Sequence, residues 1–458
     1  MRNILRTHGF LAFASMLFLN AFVDLGHKIV IQNTVFKIFD GELQIILTAI
    51  VNGLILLPFV LLFTPSGFLS DKYPKHRVMR HSAWAAVAIT LAITCCYYLG
   101  LFWPAFALTF LLAMQSAIYS PAKYGYIKEL VGGKHLAQAN GIVQAVTIVS
   151  MLVGIFSFSM LFENMLAGLN WTQPEHIMQL IAPVGWLLVA GSVMELILSY
   201  RLPQTTETKQ TVRFDYLRYV HGDYLRSNFK TIRGNQVIWL SIIGLSIFWS
   251  ISQVMLAAFP AFAEDVLGQN NTVVIHGLMA CSGIGIVIGS LIAGRVSRNY
   301  IEIGLIPLGA VGVAGVLAIF PGLQNAWTMA ASFVALGTLG GLFIVPLNAL
   351  IQFHAGEKQL GRVLAGNNLV QNSIMLGFLG LTAAFAFAGA NGRVLFVVIA
   401  VVGFAGAGYT LYKLPQSLTH LVLDLVVRNR YRLQVLGFKN IPEQGGVLML
   451  GNHASWID

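Results

Sequence analysis

Gly67-Phe68-Leu69-Ser70-Asp71-Lys72-Tyr73-Pro74-Lys75-His76-Arg77 is a short polar run lodged between two apolar ones, residues 43–69 and 79–101. Each flank is long enough to cross a bilayer as a helix, which takes about 20 apolar residues. The run therefore reads as a tight loop at a membrane surface. Gly67 allows close helix packing, and Asp71 can pair with a helix end or a basic neighbour. A degenerate copy, Gly294-Arg295-Val296-Ser297-Arg298, follows another apolar run at an offset of 227 residues. Asn140-Gly141-Ile142-Val143-Gln144 matches Asn367-Asn368-Leu369-Val370-Gln371 at the same offset, and Pro121 matches Pro346 at 225. Three matches at nearly one spacing mark an internal repeat, a feature of transporters that bind substrate near the midplane between repeats.

The composition agrees. Of 458 residues, 57% are hydrophobic and 10% charged, against about 25% charged in soluble domains. Mean hydropathy is +0.74. These values exclude a disordered chain, a nucleic-acid-binding domain and an ordinary cytosolic enzyme over most of the length. The apolar runs are far longer than the alternating segments of about 10 residues in outer-membrane barrels. Twelve spans are expected near 8–36, 43–69, 79–101, 104–127, 136–162, 177–200, 236–262, 273–294, 303–320, 326–351, 364–388 and 392–413. The first reads as a retained helix, since no small-residue cleavage site follows it. Cys95, Cys96 and Cys281 lie in apolar stretches and imply no disulfide framework.

The charges orient these spans. With the N-terminus cytoplasmic, 24 of the 28 Lys and Arg residues fall on the cytoplasmic side. Only Lys37 and Arg393 fall opposite, while Lys28 and Lys123 lie within spans. By the positive-inside rule both ends are expected in the cytoplasm, which also accounts for the net charge of +10 without a nucleic-acid partner. The expected fold is an all-α polytopic membrane protein of twelve transmembrane helices in two pseudo-symmetric six-helix bundles. Residues 1–200 form the first bundle, 201–235 a polar cytoplasmic linker, 236–413 the second bundle, and 414–458 a juxtamembrane segment.

The 67–77 run resembles the loop signature G-x-L-a-D-r-x-G-r-k of the major facilitator superfamily, with Pro74 in place of a glycine. The resemblance makes Gly67, Asp71, Lys72 and Arg77 a conformational latch, not a substrate site. Tyr119-Ser120-Pro121-Ala122-Lys123-Tyr124-Gly125 with Glu129-Leu130 narrows the match. So do Val345-Pro346-Leu347-Asn348-Ala349-Leu350 with Gln352, Asn367 with Val370-Gln371-Asn372, and the region of Asp24. Together they are similar to bacterial lysophospholipid transporters over residues 1–413. The similarity implies a flippase of the bacterial inner membrane that moves lysophospholipids, such as lysophosphatidylethanolamine, to the cytoplasmic leaflet. A transporter of another small amphiphile or drug is the alternative.

Ionisable residues at bilayer depth cost at least about 2.5–3.5 kcal/mol on insertion scales and mark functional positions by default. Asn20, Asp24, His27 and Lys28 share one face of the first span by spacing. They are expected to line the cavity and bind a charged or zwitterionic headgroup, with Asp24 and Lys28 able to pair at i, i+4. Gln115, Tyr119 and Lys123 share a face of the fourth span, where Lys123 can attract a lipid phosphate or snorkel to the surface. Asn140, Gln144, Gln253, Asn348, Gln352, Asn367 and Gln371 complete the candidate substrate contacts, although buried amides also serve as interhelical glue. Glu195 reads as structural. No cofactor or metal is expected.

Beyond Lys413, Ser417–Arg430 reads as an amphipathic, basic-ended helix for the membrane surface, followed by short strands at 431–437 and 446–450. His453 and Asp458, spaced His-x4-Asp after Gly437 and Asn440-Ile441-Pro442, resemble the first motif of glycerolipid acyltransferases. There the histidine would act as general base and the aspartate would orient it. Since the sequence stops at Asp458, no such domain is completed in it. The resemblance implies a larger fusion in which an acyltransferase, with an acyl-carrier-protein synthetase as a further partner, re-acylates the delivered lysolipid. This chain alone is then expected to be no enzyme, and its longer parent a phospholipid O-acyltransferase.

Overall fold

In the computed structural model, residues 2–39, 41–170, 172–204, 215–268, 272–297, 300–356, 359–387 and 392–430 are described. The first bundle is built from α1 (Arg2–Leu5), α2 (Phe10–Ile38), α3 (Gly41–Leu61), α4 (Phe63–Lys72), α5 (Lys75–Tyr98), α6 (Phe102–Val131), α7 (Leu136–Leu166), α8 (Pro174–Leu180) and α9 (Ala182–Ser199). The linker holds α10 (Tyr216–Val220) and α11 (Asp223–Gly234). The second bundle comprises α12 (Gln236–Leu267), α13 (Thr272–Val296), α14 (Leu305–Ile319), α15 (Ala326–His354), α16 (Leu360–Phe387) and α17 (Gly392–Lys413), followed by α18 (Pro415–Arg430). No strand occurs among the described residues.

Ten of these helices are long and apolar enough to cross a membrane, and the bent pair formed by α3 and α4 makes an eleventh. The expected twelfth is α16, 28 residues long and packed along α4 and α12. Two expected spans are not continuous, and in both a proline explains the break. The second span bends by 53° between α3 and α4. Pro65 has no N–H to offer the Leu61 carbonyl four residues earlier. That carbonyl instead accepts a hydrogen bond of 3.1 Å from the Tyr219 hydroxyl of α10. The sixth span is divided at Ile181, where Pro183 opens α9; proline is tolerated in a first turn because its missing donor is unused there.

Each bundle has its own apolar core. Phe259, Phe262, Phe320, Phe333 and Phe396 interlock in the second, with ring centroids 4.8–6.5 Å apart. The first has Phe10, Phe13, Tyr119 and Tyr126 near one membrane face and Tyr97, Phe102, Phe158 and Phe162 near the other. The α18 helix begins at Pro415 and docks Leu421 against α14 and α15. His453, Asp458 and the two strands expected at 431–437 and 446–450 lie outside the described residues.

The internal repeat reappears as equivalent contacts between bundles. A Cβ on Gly67 would lie 3.0 Å from the Arg362 Cα and 3.1 Å from the Ala365 Cβ, so α4 and α16 touch at backbone distance. A Cβ on Gly294 would lie 3.3 Å from the Gln138 Cα, joining α13 to α7. Residues 67 and 294 differ by 227, as do 138 and 365.

Candidate functional site

The seam between bundles is held near one membrane face. The Asp71 carboxylate accepts from the backbone N–H of Gly361 at 2.6 Å and of Arg362 at 3.2 Å, with the Arg362 Nε 3.6 Å away. An aspartate from the first bundle thus caps the α16 N-terminus in the second, where an anion satisfies free N–H groups and complements the helix dipole. The opposite arrangement stands one loop away. The Lys128 Nζ donates to the carbonyls of Phe353 at 3.3 Å and Ala355 at 3.1 Å, the C-terminal end of α15. The turn joining α15 to α16 is therefore gripped at both ends by charges of the sign each helix terminus favours.

The other latch candidates sit nearby. Lys72 lies over the rings of Phe68 and Tyr73, 5.5 and 5.3 Å from their centroids. Arg77 is at the surface. Lys75 is 3% exposed and pairs with Glu129 at 2.5 Å, bracing α5 against α6.

Deeper in the seam, Asn140 of α7 and Gln352 of α15 exchange two hydrogen bonds. Asn140 Nδ2 donates to Gln352 Oε1 at 3.0 Å, and Gln352 Nε2 donates to Asn140 Oδ1 at 2.9 Å. Asn368 Nδ2 of α16 donates to Ser120 Oγ of α6 at 2.9 Å. Gln371 donates to Asn367 at 2.6 Å within α16. Gln144 is buried, while Gln253 and Asn348 are partly buried.

The polar face of α2 is divided. His27 is fully buried inside the first bundle. Its Nδ1 lies 2.7 Å from the Tyr97 hydroxyl, and its Nε2 lies 3.1 Å from both the Ala105 carbonyl and Thr109 Oγ1. With both ring nitrogens engaged, the imidazole is a bolt between α2, α5 and α6. Gln115 is occupied similarly, donating to Ser82 O at 3.2 Å and Ser82 Oγ at 2.9 Å.

Asp24 points elsewhere. It accepts a short hydrogen bond from Ser116 Oγ on α6, while Lys123, also on α6, places its Nζ 5.0 Å from the Tyr124 ring centroid. Among the described residues no ion pair joins Asp24 to Lys28. The expected i, i+4 pair gives way to a contact between helices, because Ser116 approaches Asp24 from the neighbouring α6.

Glu195 of α9 faces the same cluster, with the Asn20 side chain of α2 beside it. It is fully buried, its carboxylate has no partner beyond the Asn20 side chain, and the buried Tyr119 hydroxyl has none. Buried polar atoms are rarely left unpaired, so α6 and α9 bring the under-satisfied Tyr119 hydroxyl and Glu195 carboxylate close to the polar face of α2. The sequence reading gave Glu195 only a structural role. Its signal was its charge within an apolar stretch. No cluster of His, Cys, Asp and Glu among the described residues could hold a metal.

Comparison with known proteins places these features in context. The family description "Major Facilitator Superfamily" matches residues 10–377. The lysophospholipid transporter LplT of Photorhabdus laumondii is 30% identical over 331 residues, covering 71% of this chain and 76% of that protein. Its namesake in Citrobacter koseri is 28% identical over 350 residues, covering 76% and 80%. In fold, the chain is similar to the crystal structure of the Escherichia coli fucose:proton symporter FucP, with a TM-score of 0.69 at 9% identity over 88% of this chain and 99% of that one.

Proposed function

The chain belongs to the Major Facilitator Superfamily, and from that premise we propose that it transports lysophospholipids such as lysophosphatidylethanolamine from the outer to the inner leaflet of a bacterial cytoplasmic membrane. The LplT relatives support the substrate class, and the observation that carries it is the Asp24 carboxylate of α2 held by Ser116 of α6, the helix that also bears Lys123. A phosphoethanolamine headgroup carries one cation and one anion a few bonds apart. Its ammonium suits Asp24 and the buried Glu195 carboxylate, and its phosphate suits the point charge of Lys123. Asn20 and Tyr119 supply neutral polar contacts beside them, and the apolar residues between these positions suit the single tail.

Movement follows from the seam. The Asp71 cap, the Lys128 cap, and the Asn140–Gln352 and Ser120–Asn368 contacts must all be broken for the bundles to separate on the latch side. The described arrangement is the state closed on that side. By the charge asymmetry, the latch side is the cytoplasmic one. On this reading the lysolipid enters from the far side, and release to the inner leaflet requires the seam to open. The resemblance of His453 and Asp458 to an acyltransferase motif supports immediate re-acylation by such a domain.

Equilibrium binding of lysophosphatidylethanolamine to the detergent-purified chain tests the substrate class, with the fatty acid and a hydrophobic drug cation as competitors. Binding displaced by neither competitor, and weakened by removing either Asp24 or Lys123, is the expected result. Displacement by the drug cation at lower concentration than by lysolipid would assign a different substrate.

A further inference from the structure

The second bundle contains a cavity that shares no residue with the site above. Its volume is about 290 Å³, and its lining comes from α12, α14, α15, α17 and the residues that flank α14 and α17. Along α12 it runs from Val237 to Ile251, about 21 Å at 1.5 Å per residue. It is therefore long and narrow. The space exists because Gly406 and Ala407 of α17 carry little or no side chain where they line it. A Cβ on Gly406 would meet nothing within 4 Å.

The two ends of this slot differ. Phe248, Ile251, Val313 and Phe343 line the deep end with carbon alone. At the latch-side end stand Thr410, His354 and Lys413, and Lys413 is the only Lys, Arg, Asp or Glu among the described residues of the lining. Its Nζ sits 5.9 and 5.5 Å from the ring centroids of the half-exposed Tyr409 and the exposed Tyr412. Tyrosines gather where hydrocarbon meets headgroups, so Lys413 is held at headgroup depth.

We propose that this slot holds one acyl chain of an anionic phospholipid from the latch-side leaflet, with the phosphate on Lys413. A helix, about 10–12 Å across with its side chains, does not fit so narrow a space, whereas an acyl chain does. A single cation over an apolar channel complements a lipid whose headgroup bears net negative charge. Because the slot shares no residue with the site around Asp24, the lipid is a resident of the C-terminal bundle and not cargo.

Native mass spectrometry of the full chain, purified in mild detergent and stepwise delipidated, tests this, with phosphatidylglycerol and phosphatidylethanolamine then added back. The wild type is expected to keep one anionic phospholipid to the last step and to rebind phosphatidylglycerol at least tenfold more tightly than phosphatidylethanolamine. Gly406→Leu fills the slot and should lose that lipid. Lys413→Gln, at an exposed position that leaves the core untouched, should lose the preference for phosphatidylglycerol. Lysophosphatidylethanolamine binding by both variants should match wild type, which separates this site from the transport site. Retention of the same lipid by Gly406→Leu, an unchanged preference in Lys413→Gln, or retention of lysolipid or detergent alone would overturn the assignment.

Discussion

Asn140 and Gln352 pair as reciprocal donor and acceptor across the bundle interface, at 2.9 and 3.0 Å. Both side chains are buried, Gln352 completely. An amide pair of this kind is satisfied only while the bundles touch, and it directs the buried polar atoms of one bundle toward a single register of the other.

Replacing one partner is therefore predicted to favour the open seam. Gln352→Leu leaves the Asn140 amide without its partner on α15, at a cost of about 1–3 kcal/mol. The latch-side open fraction should rise roughly 5–150-fold. The double variant Asn140→Leu/Gln352→Leu should be milder than either single one. Spin-label distances across the latch face would check this; identical distributions in all variants would refute it.

Asp71 and Lys128 are predicted to act as separate grips on the α15–α16 turn. Asp71→Ala removes a helix cap and its charge, about 1–2 kcal/mol, and Lys128→Met about 0.3–1 kcal/mol. Both should change the transport rate without altering the ratio of rates for two lysolipid headgroups. A changed ratio in Asp71→Ala would place that residue in substrate recognition.

Tyr219 and Pro65 yield a prediction about the linker. Tyr219→Phe deprives the Leu61 carbonyl of its donor and should destabilise the protein by about 0.5–1.5 kcal/mol. Pro65→Ala restores a backbone N–H four residues after Leu61, so Tyr219→Phe should cost much less in that background. Thermal unfolding of the four proteins in detergent would show this, and equal losses in both backgrounds would exclude the substitution of one donor for the other.

Much of the fold was legible because lipid permits few backbones: spans must be long, apolar and helical. The repeat offset of 227 also relates the contact of Gly67 with Ala365 to that of Gly294 with Gln138. Polar side chains were harder to read. His27 and Lys28 lie three and four residues after Asp24, yet one residue of helix turns through about 100°. That turn carries His27 into the interior against Tyr97, Ala105 and Thr109. Spacing along one helix cannot show which neighbour covers each edge of its face. For the same reason Asn140 and Gln352 were read as substrate contacts, whereas they face each other.

The proposed recognition rests on the Asp24 carboxylate held by Ser116. Losing a charge-assisted contact to the headgroup costs about 1.5–3 kcal/mol. Asp24→Asn should therefore bind lysophosphatidylethanolamine roughly 10–150-fold more weakly while folding and expressing normally. Titration calorimetry would measure this.

The most direct measurement is protein-mediated movement of fluorescent lysophosphatidylethanolamine across proteoliposomes containing the purified chain, followed by dithionite quenching. The account predicts flipping well above that in protein-free vesicles, nearly abolished by Asp24→Asn. Flipping no faster than in protein-free vesicles, or equal flipping by Asp24→Asn, would contradict it.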